Sequence, residues 1–347
     1  MEMGSFGVLN FERTPIAGVI GLGQIGMSLS FDLISRGIEV FGFDKNPPAL
    51  DFALQHGVKV VEKVEEIFDV ADLIFYAIPA GQMKSAIAHI SGVSFDRRVI
   101  IADLCSTKLD VEKVFTEASL DRSKLSYVGL HPLAGSEKRS YYGAVKGLFE
   151  GRVMVVAVGA STDLIDAISL AKLLIDTAKC RIVFANPATH DRLINFTIQI
   201  PHVFAYVASS FAKEVKDQVA LEMFTGNSLR DVIRVARSDP AMVASFLFSN
   251  REILKSTLRS ATARIESMMT ILESGDESQL VALLDDYAPA QSRISYEATT
   301  RRSEASLQAI STLIDDLISA PYMVDDIEIA PNGDLMLSLL HLSDEVS

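Results

Sequence analysis

The stretch VIGLGQIGMSLS, residues 19–30, carries three glycines in the spacing GxGxxG. Gly21, Gly23 and Gly26 follow a short apolar run and open a segment with helical periodicity. This order suits a pyrophosphate, because glycines permit a tight turn and a close approach, and the N–H groups that begin a helix attract an anion. Glycines also end strands for steric reasons alone, so the triplet needs support from its surroundings.

The next apolar run, FGFD, supplies that support because it ends at Asp44. A carboxylate about 20 residues after such a loop hydrogen-bonds the adenosine ribose and repels a 2′-phosphate. We therefore predict a bound dinucleotide, with NAD favoured over NADP, although Lys45 weakens that preference. The predicted cofactor contacts are Gly21, Leu22, Gly23, Gln24, Ile25, Gly26, Asp44, Ile78 and Pro79.

Outward from the loop, β-branched apolar runs between residues 16 and 187 alternate with helix-length segments. Such a pattern predicts an α/β fold with a Rossmann-like, doubly wound and mostly parallel sheet. From residue 188 to about 318 no strand is expected and apolar residues recur at helical spacing, with Asp239 and Pro240 marking one helix start. We predict a nucleotide-binding domain over 1–187, an all-helical domain over 188–318 and a C-terminal extension over 319–347 that contains a short hairpin.

The composition narrows the class of protein. The chain of 347 residues is 49% hydrophobic and 22% charged, which is typical of a soluble globular protein. Its net charge of −13 argues against nucleic-acid or anionic-membrane partners. The two cysteines, the lack of a signal-like start and the lack of a long apolar run together favour a cytoplasmic location.

The segment GLHPLAGSEK, residues 129–138, places His131 at the end of an apolar run. A histidine at this point is a packing residue, a metal ligand or a catalyst. No HxxxH or CxxC ligand pattern occurs in the chain, so no metal is expected. A base with a pKa of about 6.5 would suit proton transfer.

The segment that follows Pro187 has a polar stripe on an apolar helix. Asn195, Gln199, His202 and Tyr206 fall at spacings of four, three and four residues. The stripe either faces a cleft, which we favour because the other faces carry no charge, or is solvated surface. Pro201 should kink this helix.

Further along, Arg230 and Arg234 lie one helical turn apart with Asp231 beside them. Guanidinium groups suit carboxylates because they offer two parallel donors. The alternative is an amphipathic helix with a solvated basic edge. His190 is interpreted as a structural residue, and Asp191 as a favourable charge in the first turn of its own helix.

Taken in order, the motifs GLGQIGMSL, GFDKNP, DLCSTK, HPLAGSEK, HDRL…IPH and LRDVIRVARSDPAM resemble those of the prephenate/arogenate dehydrogenase family of tyrosine biosynthesis. The resemblance implies an NAD-linked oxidative decarboxylation of a small dicarboxylate, with 4-hydroxyphenylpyruvate formed from prephenate. It also implies a homodimer through the helical domain. No metal is needed, because aromatisation drives the decarboxylation.

The resemblance also implies roles for individual residues. His131 would accept the substrate hydroxyl proton, and Ser106 of the DLCSTK motif would lie beside it. Arg234 would hold a substrate carboxylate, and His202 would contact the side-chain end. A polar gate around the pocket would consist of Ser136, Glu137, Arg230 and Asp231.

The chain departs from the family pattern at one position that bears on the substrate. Many relatives have a tryptophan after SDPxM, near the substrate pocket, whereas this chain has Val243 and no tryptophan at all. The resemblance therefore leaves open whether the substrate side chain carries a keto or an amino group. The leading hypothesis is prephenate dehydrogenase; arogenate and 4-amino-4-deoxyprephenate dehydrogenases are the nearest alternatives. A β-hydroxyacid dehydrogenase or imine reductase and a non-catalytic NAD sensor are more distant ones.

Overall fold

The structure, a computed structural model, describes residues 13–135, 140–288, 293–305, 310–319, 322–329 and 335–345. Within these ranges one sheet of eleven strands runs through the molecule. In chain order the strands are β1 (Ala17–Ile20), β2 (Val40–Phe43), β3 (Lys59–Val60), β4 (Leu73–Tyr76), β5 (Val99–Asp103), β6 (Leu125–Pro132), β7 (Val153–Ala157), β8 (Arg181–Ala185), β9 (Arg293–Ala305), β10 (Tyr322–Ile329) and β11 (Leu335–Glu345).

The strand order across the sheet is β3-β2-β1-β4-β5-β6-β7-β8-β10-β11-β9. The strands from β3 to β6 in that order are parallel, β7 runs antiparallel to β6, and β8 is parallel to β7. The order 3-2-1-4-5-6 is that of a doubly wound sheet, in which ligands bind where the order reverses, here between β1 and β4. The predicted fold class is confirmed.

Helices cover both faces of this sheet. They are α1 (Gln24–Ile34), α2 (Pro47–Gln55), α3 (Glu65–Val70), α4 (Met83–Ile90), α5 (Leu109–Glu117) and α6 (Leu164–Ala178). One core packs α1 and α6 against the sheet, and a second core on the opposite face packs α3, α4 and α5. Because both faces are covered, β1 and β4 are buried along their whole length, which is why they are continuously apolar in sequence.

A helical region follows β8. Its members are α7 (Pro187–Ile194), α8 (Ile200–Glu214), α9 (Gln218–Phe224), α10 (Asn227–Ile233), α11 (Pro240–Ser249), α12 (Arg251–Ser274) and α13 (Glu277–Tyr287). The predicted start of α11 is confirmed, since the Asp239 carboxylate accepts hydrogen bonds from two N–H groups of its first turn. Between α7 and α8 the chain makes a π-helical turn over Asn195–Gln199, just before Pro201. A proline cannot donate the usual hydrogen bond, and the helix widens there rather than continuing as a regular α-helix.

The C-terminal segments belong to the same sheet. The predicted hairpin is confirmed as the antiparallel pair β10 and β11, and Val324 of β10 pairs with Ile182 of β8. The extension of the helical domain to residue 318 is wrong, because β9 is a strand that pairs with β11. Helix α14 (Ile310–Ser319) then packs on α6 and β8. This C-terminal unit therefore extends the nucleotide-binding sheet.

Within the described part of the chain, no helix combines the length and apolar composition needed to cross a bilayer.

Candidate active site

The glycine loop forms a tight passage between β1 and α1. Gly21 has a φ of +96°, and a Cβ there would lie 2.4 Å from the Ala77 carbonyl oxygen. A Cβ on Gly26 would lie 1.9 Å from the Gly21 carbonyl oxygen, so both positions exclude larger residues. A Cβ on Gly23, in contrast, would meet nothing within 4 Å. The open side of the loop therefore lies at Gly23, directly before the N-terminus of α1, where an anion is favoured.

Two cavities meet at this loop. The first, of about 360 Å³, lies beside the end of β2; the second, of about 410 Å³, lies between the ends of β4 and β5 and helix α11. Gly23, Ala77, Ile78 and Pro79 line both. A ligand in two parts joined by a pyrophosphate would place one part in each cavity, with the link at Gly23.

Asp44, a predicted cofactor contact, lies at the wall of the first cavity. Its carboxylate accepts hydrogen bonds from the backbone N–H groups of Leu22, at 2.7 Å, and Asn46, at 2.8 Å. These bonds fix the carboxylate, and each oxygen retains a second lone pair that can accept a ribose hydroxyl.

Of the remaining predicted cofactor contacts, some line a cavity and one does not. Gln24 and Ile25 line the second cavity, and the Gln24 amide also donates to the Gly143 carbonyl at 2.9 Å. Leu22 differs, because its side chain is completely buried in the core and lines neither cavity.

His131 is the second-last residue of β6, at the carboxyl edge of the sheet, and is 5% exposed. Its Nδ1 lies 2.9 Å from Nε2 of His190, whose own Nδ1 lies 2.7 Å from Oδ1 of Asp191. Helix α7 thus brings His190, interpreted from the sequence as a structural residue, into contact with His131. The interpretation of Asp191 is wrong, because no acidic residue lies in the first turn of α7. Its carboxylate instead accepts from the N–H groups of Lys108 and Leu109, at 2.8 and 2.9 Å, and so caps α5.

The hydrogen-bond chain assigns the protons of both rings. A carboxylate only accepts, so Nδ1 of His190 carries a proton and its Nε2 presents a lone pair. His131 must then donate from Nδ1, which leaves Nε2 of His131 unprotonated in the neutral ring.

The electrostatic surroundings keep both rings neutral. Burial, followed by the charges of His190 and Lys108, holds the pKa of His131 well below its usual value. Burial also lowers the pKa of His190, although the hydrogen bond to Asp191 opposes that shift. The site thus presents a neutral imidazole that can accept a proton.

Ser106 lies in the loop after β5 and lines the second cavity together with Leu104 and Cys105. Strand β6, which carries His131, pairs with β5 through Asp103 and Gly129. The two predicted catalytic residues thus follow neighbouring strands at the same sheet edge. His131 itself lines neither cavity.

The polar stripe of the helical region divides into two parts. Asn195 and Gln199 are completely buried, and they bond to Thr257 of α12 and to the Phe246 carbonyl of α11, at 2.7 and 2.8 Å. These two residues join helices to each other, so the prediction that they face a cleft is wrong. His202 is half-buried, with its ring 5.1 Å from that of Phe246, which lines the second cavity.

Other predicted substrate residues lie on the surface of the single chain. Arg230, Asp231 and Arg234 are exposed, and Arg230 pairs with Glu222 at 3.3 Å. None of them lines the second cavity. Ser136 and Glu137 lie outside the described residues.

Three residues of α11 complete the second cavity and were not singled out by their sequence: Met242, Ser245 and Phe246. Val243, where many relatives have tryptophan, is buried at 3% exposure beside them. The sequence signals for this helix are its cap at Asp239, the end of the motif LRDVIRVARSDPAM and the departure at Val243. Among the described residues, no group of three His, Cys, Asp or Glu side chains is arranged to hold a metal ion.

A doubly wound sheet with a glycine cradle, an acid after β2 and a buried histidine pair defines the class of dinucleotide-dependent dehydrogenases. Sequence profiles of two family domains match the chain: the nucleotide-binding domain of prephenate dehydrogenase over residues 32–184, and its dimerization domain over residues 186–286. The chain belongs to the prephenate dehydrogenase family. This membership favours the leading hypothesis over a β-hydroxyacid dehydrogenase or an imine reductase.

Comparisons with individual proteins support the same family. The chain is 26% identical over 273 residues to prephenate dehydrogenase of Bacillus subtilis, covering 75% of this chain and 71% of that protein. It is 26% identical over 269 residues to cyclohexadienyl dehydrogenase of Zymomonas mobilis, covering 76% and 90%. The crystal structure of Aquifex aeolicus prephenate dehydrogenase with hydroxyphenyl propionate and NAD+ has the same fold, with a TM-score of 0.67, 21% identity and coverage of 79% and 96%.

Proposed function

We propose that this protein is an NAD-dependent prephenate dehydrogenase that converts prephenate to 4-hydroxyphenylpyruvate and carbon dioxide. The hydrogen-bond chain from His131 through His190 to Asp191 carries the proposal, because it supplies a neutral base on β6, next to strand β5, whose following loop lines the second cavity with Ser106. The membership of the family supplies the substrate class.

The cleft fits NAD. Gly21 and Gly26 have no room for a side chain, and the open side of Gly23 leaves space for the pyrophosphate. Asp44 would hold the adenosine ribose and disfavour the 2′-phosphate of NADP. When bound, NAD accepts a hydride from the carbinol carbon of the substrate.

His131 would accept the hydroxyl proton on Nε2 as that hydride leaves. The resulting imidazolium would be stabilised through Nδ1 by His190 and, beyond it, by the Asp191 carboxylate. The ring carboxylate of the substrate then leaves as carbon dioxide, and its electron pair completes the aromatic ring. The phenolate oxygen formed in this step takes the proton back from His131, which restores the neutral imidazole. Ser106, at the end of the neighbouring strand, would orient the hydroxyl or the imidazole.

The substrate carries two carboxylates, and the helical region supplies cations for them. We assign Arg234 to one carboxylate and His202 to the side-chain end, with Ser136, Glu137, Arg230 and Asp231 as a gate. His202 has support from its contact with Phe246 at the second cavity. Arg234 is exposed in the single chain.

The helical region would also form a homodimer. Its exposed apolar side chains include Phe196, Phe211, Met223, Phe224 and Phe248, from 56% to 90% exposed. Exposed apolar surface on this scale marks an interface, and the matching family domain is a dimerization domain. Analytical ultracentrifugation should therefore give twice the chain mass. Both cysteines are buried and free, which supports a cytoplasmic enzyme.

The nearest alternatives differ from the proposal in one amino group of the substrate. Arogenate carries an amino group where prephenate has a keto group, and 4-amino-4-deoxyprephenate would place an amine where His131 meets the hydroxyl. Comparing kcat/KM for the three substrates with NAD tests the proposal, and a clear preference for arogenate would overturn it.

A further inference from the structure

The backbone of Ser140 has a conformation that residues with a side chain rarely adopt. Its φ of +61° and ψ of −166° lie in a region that glycine alone enters readily, because a Cβ there crowds the backbone. In the part of the chain that the structure describes, the other non-glycine residue with a positive φ is Lys179. Lys179 ends α6 in the left-handed helical region, which is common at that position. Glycine would remove the strain at Ser140, so the serine there calls for a reason.

Ser140 lies at the second cavity. Its side chain is exposed and lines the cavity together with those of Ser106 and Gln24. Ser140 follows His131 in the chain, so the segment that leaves β6 reaches the cavity at this residue. Strained non-glycine residues cluster at functional sites, and a hydroxyl in this position can donate a hydrogen bond to a ligand.

Three polar side chains of α1 hold the chain that follows Ser140. They form a row along the helix, spaced four residues apart, and this α1 row consists of Gln24, Ser28 and Asp32. Gln24 donates to the Gly143 carbonyl at 2.9 Å, Ser28 accepts from the Val145 N–H at 3.0 Å, and Asp32 accepts from the Gly147 N–H at 2.8 Å. Ser28 and Asp32 are 0% and 3% exposed, so water competes little for these bonds. A strained backbone persists only where its surroundings fix it, and the α1 row does so here.

We propose that the Ser140 hydroxyl donates a hydrogen bond to a carboxylate oxygen of the substrate and that the α1 row positions it. A glycine would avoid the strain but would have no hydroxyl, which explains the serine. A dicarboxylate offers several charged acceptor oxygens in this cavity, whereas the nicotinamide ring offers only the oxygen of its carboxamide. The inference rests on the proposed function, because it adds a contact to the substrate of that reaction.

Two variants of Ser140 separate the hydroxyl from the strain. Ser140→Ala removes the hydroxyl and keeps a Cβ, so its melting temperature should stay within about 1 °C of the wild type. Ser140→Gly removes both, and its melting temperature should rise by about 1–3 °C as the strain is relieved. At saturating NAD+, both variants should raise KM for prephenate about tenfold, the effect of one hydrogen bond to a charged group, with less effect on kcat.

The matched control for the strain is Lys179→Gly, which relieves the other positive φ. Lys179 lines neither cavity, so this variant should melt above the wild type while KM stays within about twofold. Isothermal titration with NAD+ should give a Kd within about twofold of the wild type for both Ser140 variants, because the glycine loop and Asp44 are unchanged.

Two buried serines of α1 test the α1 row. Ser28→Ala removes the acceptor of the Val145 N–H and should raise KM for prephenate about 3- to 5-fold without changing Kd for NAD+. Ser30→Ala is the matched control, because Ser30 is equally buried but donates to the Gly26 carbonyl within the helix, at 2.8 Å. It should leave KM within about twofold.

The possible outcomes separate this inference from the proposed function. If the wild-type chain does not oxidise prephenate, the proposed function is overturned, while the melting temperatures still test the strain. If the wild type turns over prephenate and Ser140→Ala keeps its KM, or raises only Kd for NAD+, the substrate contact is overturned. A Ser140→Gly protein that melts below the wild type would contradict the strain, and equal KM values for Ser28→Ala and Ser30→Ala would contradict the role of the α1 row.

Discussion

Replacing Asp191 by asparagine should stop His131 from acting as a base, although His131 itself is unchanged. The Asp191 carboxylate accepts from Nδ1 of His190 at 2.7 Å and thereby sets the proton positions in both imidazoles. An asparagine amide turned towards His190 donates where the carboxylate accepts. His190 would then carry its proton on Nε2 and donate it to Nδ1 of His131, so His131 would hold its own proton on Nε2, the atom needed as the base.

The size of the effect follows from the bond that is lost. In the variant, the active tautomer lacks the hydrogen bond from His190 to a charged carboxylate, which contributes about 1.5–3 kcal/mol in the wild type. Since 1.4 kcal/mol corresponds to a factor of ten, kcat should fall about 10- to 150-fold. KM for prephenate should change little, because Asp191 is 1% exposed and meets no substrate.

Formation of NADH at 340 nm measures both parameters. Asp191 also accepts from two N–H groups at the start of α5, so the melting temperature of the variant must be measured alongside. Asp217→Asn is the matched control, because that carboxylate caps α9 on the surface through the N–H of Ala220. If folded Asp191→Asn protein kept the wild-type kcat, the relay from Asp191 to His131 would have no part in the reaction.

Three further predictions concern the same site. His131→Asn should lose about 10²–10⁴ in kcat, the usual contribution of a general base, while it still binds NAD+ and prephenate by titration; turnover at the wild-type rate would remove His131 from catalysis. Arg234→Ala should raise KM for prephenate at least tenfold with less effect on kcat, because it loses a charged hydrogen bond, and an unchanged KM would place Arg234 outside the pocket. Lowered pKa values for His131 and His190 mean that the unfolded chain takes up protons below about pH 6.5 that the folded chain does not. The free energy of unfolding should therefore be highest above that pH. It should fall by up to about 1.4 kcal/mol per pH unit for each histidine as the pH drops towards the pKa values of the folded chain. Urea titrations at pH 7.5 and 5.5 measure this difference, and equal free energies of unfolding at the two pH values would contradict the prediction.

The features that could be predicted from the sequence are those that depend on residues close together in the chain. The glycine loop and Asp44 depend on a strand, a turn and a helix that follow one another directly, so their arrangement is readable from spacing. The same holds for the cap at Asp239, whose effect lies within one helical turn.

Contacts between distant segments explain the errors. His131 and His190 are 59 residues apart in sequence, and nothing in either local pattern indicates that α7 places one ring against the other. The sequence predicts that the polar stripe faces a cleft, because charged residues are lacking on the other faces of the segment around it. In the structure its two buried members bond to α11 and α12, and the apolar face with Phe196 and Phe204 is the exposed one. A helix face that is buried against a second chain has the same apolar composition as a face that is buried in the core of one chain. The sequence alone therefore does not distinguish an interface from a core.

Strand β9 shows a different difficulty. Its sequence, RISYEATTRRSEA, is rich in charged and polar residues, and its pairing depends on β11, which follows about 30 residues later. Because the local sequence does not reveal the pairing with β11, the pattern places this segment in the predicted helical range of 188–318.

The most direct test of the central claim is product analysis with NAD+ and each of prephenate, arogenate and 4-amino-4-deoxyprephenate. The account predicts one NADH, one carbon dioxide and one 4-hydroxyphenylpyruvate for each prephenate consumed, with the highest kcat/KM for prephenate. A higher kcat/KM for either amino substrate, or NADH formation without release of carbon dioxide, would contradict it.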